Sequence, residues 1–96
     1  MDRSALIRKG NELFNTLKNE WNYDTLKEVS ECFVAADYQD GLLRLADWLY
    51  YDKRLPLLAM SYYKKVPTKL SQSRLNEITQ RMILAIRHLL KEGDNT

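Results

Sequence analysis

The chain has 96 residues, 45% of them apolar and 29% charged, with three Gly, two Pro and one Cys, which is the balance of one soluble globular domain and leaves no room for a second. A lone Cys32 cannot close an internal disulfide, so a secreted disulfide scaffold is excluded. The net charge of +2 divides unevenly: residues 1–48 carry six Lys or Arg against nine Asp or Glu (−3), and residues 49–96 carry nine against four (+5).

The longest apolar stretch, Met82 to Ile86, stops at Arg87, well short of the ~18 apolar residues of a spanning helix. The first apolar run is broken after three residues, too short for a signal peptide. The expectation is a cytoplasmic chain that contacts no membrane.

No run alternates Val, Ile and Thr as a strand would, and helical periodicity extends almost throughout. Leu6, Gly10, Leu13, Phe14, Leu17 and Trp21 recur at steps of three and four behind Ser4 as N-cap, which predicts a helix over about 4–20. Asn22-Tyr23-Asp24 supplies turn formers, and Thr25-Leu26-Lys27-Glu28 has capping-box spacing. A second helix over 25–36 then buries Leu26, Val29, Cys32 or Phe33, and Ala36.

After a polar break at residues 37–41, Asp40 is placed to cap a third helix over 41–51, carrying Leu42, Leu43, Leu45, Ala46, Leu49 and Tyr50. Pro56 suits a first helical position, so a fourth helix spans 56–65, burying Ala59, Tyr62 or Tyr63, and Val66, and stopping at Pro67. The fifth, over 72–91 with Ser71 or Ser73 as cap, has an inward line of Leu75, Ile78, Met82, Ala85 or Ile86, and Leu89. Gly93 marks its end, leaving 1–92 as one domain and 93–96 as a flexible tail. Connections this short favour antiparallel neighbours, so the fold class is all-α, five helices stacked as α-α hairpins.

Ala35-Ala36-Asp37, then Asp40-Gly41-Leu42-Leu43-Arg44-Leu45-Ala46-Asp47-Trp48-Leu49-Tyr50-Tyr51, then Leu58-Ala59-Met60-Ser61-Tyr62-Tyr63-Lys64-Lys65-Val66 resembles one tetratricopeptide repeat with the short junction of the Sel1-like variant. Ile7-Arg8-Lys9-Gly10-Asn11-Glu12-Leu13-Phe14 is similar to the opening of another. A shift of 37 superposes the first helices, with Leu13 on Tyr50, whereas the second helices superpose at 30, with Phe33 on Tyr63. Asp47 stands where the repeat pattern prefers Gly or Ala. The resemblance implies a fragment of a right-handed superhelix closed by the last helix, in which small Ala46 admits the paired helix and Ala59 and Tyr63 fill the interior. It also implies a groove offered to a protein ligand.

No phosphate loop, dinucleotide turn, His-Glu-x-x-His, paired Cys or nucleophile elbow is present, so neither an enzyme nor a cofactor or metal site is expected. Cys32 reads as a small buried thiol and His88 as a favourable charge near a helix C-terminus. Asp47 and Asp52 are the carboxylate pair that an acid–base reading would require. In the third helix Leu42, Leu45, Ala46 and Leu49 commit one side to the core, so Trp48, Tyr51 and Arg44 are expected on another face. Large aromatics with Arg are the residue types that dominate protein interfaces. The fifth helix carries apolar residues beyond one stripe, at Ile83, Leu84, Ile86 and Leu90, either for deeper burial or for a partner. Its candidate outer face is Arg81, Leu84 and Arg87, and Arg74, Arg81 and His88 form a basic stripe.

The function expected from these features is a small interaction module, an adaptor or chaperone-like scaffold, that binds a peptide, a helix or a second copy of itself through the C-terminal helix. The alternative is nucleic-acid binding through Lys64, Lys65, Lys69, Arg74 and Arg81 of the basic half.

Overall fold

Five α-helices account for most of the chain: α1 (Arg3–Asn19), α2 (Tyr23–Ala35), α3 (Gln39–Asp47), α4 (Pro56–Tyr63) and α5 (Thr68–Asp94). The computed structural model describes residues 2–94, with side chains described through Lys91, and those residues contain no strand. The frayed tail expected at Asn95 and Thr96 lies outside them.

Helix starts differ from the sequence expectation where two capping residues compete. Asp2, not Ser4, caps α1, its carboxylate accepting the Ala5 N–H at 2.7 Å. Asn22 caps α2 by accepting from the N–H groups of Asp24 and Thr25 at 2.8 and 3.3 Å, so Thr25 lies within the helix and the capping box does not form. Asp40 sits inside the first turn of α3 as a favourable charge and not as its cap. α5 begins at Thr68, directly after Pro67, which carries Ser71 into the helix as a buried residue and removes it and Ser73 as caps. The helix also runs through Gly93 to Asp94. Pro56 opens α4 as expected.

α2 ends in a reciprocal pair of backbone bonds, Tyr38 N–H to Phe33 O (2.9 Å) and Asp37 N–H to Val34 O (3.0 Å), with Asp37 at φ 50°. This is the Schellman arrangement, and Asp is among the few non-Gly residues that accept its left-handed position. The accompanying contact between Tyr38 and Phe33 is present as an edge-on pair of rings 5.4 Å apart. α1 lies antiparallel on α2, since Arg3 Nε at the start of one donates to Ala36 O at the end of the other at 2.8 Å. Gly10 permits that approach: a Cβ there would stand 2.5 Å from the buried Phe33 ring.

α3 does not stop at Asp47. It widens into a π-helical turn, Trp48–Asp52, and ends with Lys53 N–H bonded to Trp48 O at 3.1 Å and Arg54 at φ 56°. Successive residues of an α-helix point about 100° apart, so three in a row rarely share one environment. Here Trp48, Leu49 and Tyr50 are all buried, because helices flank the turn on several sides. One core cluster joins Phe14, Leu17, Leu26, Val29 and Phe33 to Leu42, Leu45, Leu49, Ala59, Tyr63 and Ile78.

α5 is held to this body by its first half only. Ser71 and Ile78 are buried and Leu70 and Leu75 partly so, but every residue from Thr79 to Lys91 is exposed. At 1.5 Å per residue those thirteen positions form an arm about 20 Å long. The radius of gyration is accordingly 16.1 Å, against about 12–13 Å for a compact domain of this length.

Candidate docking site

Two side-chain ties fasten α5 across α3 and its π turn. The Asp47 carboxylate accepts from Tyr63 Oη (2.5 Å), Arg74 Nε (2.7 Å) and Arg74 Nη2 (3.2 Å). These groups are half-buried, and the bonds use both carboxylate oxygens, so Asp47 connects three helices. The hydrogen bond to Asp47 raises the pKa of Arg74. Burial, followed by the bond to Asp47, raises that of Tyr63. In the second tie Tyr51 Oη donates to Glu77 Oε2 at 3.2 Å, while Glu77 Oε1 pairs with Arg81 Nη2 at 2.9 Å. The Arg81 guanidinium also stands 5.5 Å from the centre of the Tyr50 ring.

A groove of about 300 Å³ lies between α1 and α3 and brings together three of the expected site residues, Arg44, Trp48 and Tyr51, with Phe14, Lys18, Asp47 and Asp52. Trp48 does not project as the sequence suggested: it is only 9% exposed, edge-on to Phe14 at 5.6 Å and tilted over Trp21 at 6.0 Å. The helical period shows which face α4 covers but not that α1 covers the adjoining one. Lys53 stands over both indoles, 5.4 Å from the Trp21 ring and 5.8 Å from the Trp48 ring. Arg44 is exposed, donating to Tyr38 Oη at 3.0 Å and to Asn11 Oδ1 at 3.5 Å. Tyr51 is 52% exposed, as expected for a contact residue.

A larger groove, about 580 Å³, opens where the arm of α5 leaves the body, lined by Tyr50, Tyr51, Arg54, Pro56, Ile78, Arg81, Met82 and Ala85. Arg81 belongs to it. Leu84 and Arg87 lie on the arm but not in this groove; Leu84 is 61% exposed and Arg87 is exposed on the polar side. The period of α5 places Met82, Ala85 or Ile86, and Leu89 in the core, but all four are exposed, so the core face ends at Ile78. The available signal was length: a helix of 27 residues cannot be covered along its whole course by one of eight. Beside this groove the Tyr50 hydroxyl is buried with no hydrogen-bond partner among the described residues.

Cys32 is buried, and Asp47, one member of the candidate acid pair, is fully engaged. No group of three His, Cys, Asp or Glu among the described residues could hold a metal ion. Of the five basic residues of the nucleic-acid reading, Arg74 and Arg81 are ion-paired. No helix among the described residues is long and apolar enough to cross a membrane. In comparison with known proteins, no family model, curated protein or solved structure matches the chain.

Proposed function

We propose that the chain is a small helical-repeat interaction module, tetratricopeptide-like in its two helix pairs, that works in the cytoplasm by binding a peptide, a helix or a second copy of itself. The observation that carries this reading is the arm of α5. Met82, Ile83, Leu84, Ile86, Leu89 and Leu90 are each between 36% and 66% exposed on consecutive turns, and large apolar side chains exposed side by side mark interaction surfaces. Small residues where paired helices meet, Ala46 and Ala59, both fully buried, support the repeat-like pairing.

Light scattering after size exclusion over a range of concentrations, followed by pull-down with the full chain, tests the reading. The expected result is either a mass that rises with concentration or capture of a protein ligand, in each case lost in Met82→Glu. A monomer at every concentration whose Met82→Glu and Leu84→Arg variants keep every interaction of the parent overturns it.

A further inference from the structure

The apolar line of α5 runs unbroken from the body into the arm. Ser71, Leu75 and Ile78 face the core, and Met82, Ala85, Ile86 and Leu89 continue the same side. With Ile83 and Leu90 the apolar arc is about 160° wide on a helical projection, more than one neighbouring helix requires. The arc faces the same way as the core, so the π turn and Pro56 stand beside it as a step. That corner is a concave groove of about 580 Å³, a shape that suits a helix about 10 Å across better than a flat bilayer.

Charge selects among helical occupants. Between Thr79 and Lys91 the arm carries Arg81, Arg87 and Lys91 and no acid, Glu77 one turn earlier being paired with Arg81, and the wall adds Arg54. A second copy fits this poorly. The groove lining holds Arg54 and Arg81 and no carboxylate, so the arm of a second copy seated there brings its own Arg81 against them. Like charges so placed disfavour an interface. An occupant with acidic flanks meets Arg54 and Arg81, both in the groove lining, which holds no carboxylate.

We infer that the groove under the arm of α5 is the docking site for an acidic amphipathic helix of a protein partner, whose apolar side packs on Ile78, Met82, Ala85 and Leu89 and whose carboxylates face Arg54 and Arg81. The inference rests on the interaction-module reading and narrows it to one surface and one ligand chemistry.

Two fluorescein-labelled synthetic helices, each about two heptads long with identical Leu positions but flanked by Glu in one and Lys in the other, test it by anisotropy titration against the full chain at low salt. The Glu-flanked peptide is expected to bind at least tenfold more tightly than the Lys-flanked one. Met82→Glu should abolish binding and Arg81→Glu should invert the preference, with far-ultraviolet circular dichroism unchanged because both positions are exposed. Equal affinity for the two peptides, or binding of neither, overturns the inference. A dimer abolished by Met82→Glu overturns it too, while leaving the interaction-module reading intact with a second copy as occupant. Arm-dependent binding to phosphatidylserine vesicles without peptide binding overturns both.

Discussion

Ile78 and Met82 are four residues apart on one line of α5, yet the first is fully buried and the second is 36% exposed. Both are apolar and both satisfy the same three-and-four spacing. The difference is set by their neighbours: α4 has eight residues and the π turn ends at Asp52, so the body stops where Ile78 is covered and Met82 is not. A periodic pattern records which side of a helix is meant to be covered. The cover itself, in this chain, ends halfway along the helix.

The largest expected effect comes from truncating the two positions alike. Ile78→Ala should cost about 2–4 kcal/mol in urea unfolding, since it leaves a cavity in a closed core, whereas Met82→Ala should stay within about 0.5 kcal/mol. Equal losses at both would break the comparison and mean that the arm is buried in solution. Next is the tie that fixes the buried half. Asp47→Ala leaves Arg74 and Tyr63 without their shared acceptor and should cost about 1–3 kcal/mol, while Asp52→Ala on the exposed π turn should cost close to nothing.

The helix count and most inward faces were legible because they depend on local spacing. Leu26, Val29, Phe33 and Ala36 are buried, as are Ala59, Tyr62, Tyr63 and Val66, and Pro56 opens α4. Cap choices were less legible, since Asp2 and Ser4, or Asn22 and Thr25, offer equivalent oxygens within three residues and backbone geometry decides between them. The π turn was invisible because Trp48-Leu49-Tyr50 reads as a continuation of an apolar helix whatever its winding. Of the candidate site, Arg44 and Tyr51 were found on an exposed face, but Trp48 was covered by α1, a long-range contact that no period in α3 encodes. The larger groove is not legible because the period that buries Ile78 also points Met82, Ala85 or Ile86, and Leu89 inward, whereas the core ends one turn before Met82.

A smaller effect concerns pH. Burial and the Asp47 bond hold Tyr63 protonated above its ordinary range, and burial acts likewise on Tyr62 and Tyr51. A raised folded-state value contributes stability that is complete below the unfolded pKa of about 10 and is lost as pH rises through the folded value. Unfolding measured from pH 8 to 11 should therefore show stability falling above about pH 10, less steeply in Tyr63→Phe. Hydrogen exchange sharpens the opening contrast further: amides of residues 72–78 should be protected and those of the arm should exchange through local fraying. The smallest change is expected at Arg54, whose φ of 56° makes Arg54→Gly stabilising by a few tenths of a kcal/mol, while weakening the Glu-flanked peptide.

Tyr51 forms part of both grooves, its ring standing between the one beside α1 and the one under the arm, with its hydroxyl bound to Glu77. Two ligands would therefore share a single partition. A ligand that turned this ring toward itself would withdraw a wall from the other groove, and the penalty each imposed on the other would be equal by thermodynamic reciprocity. Were both grooves to take ligands, a shift of this one phenol would be felt in each.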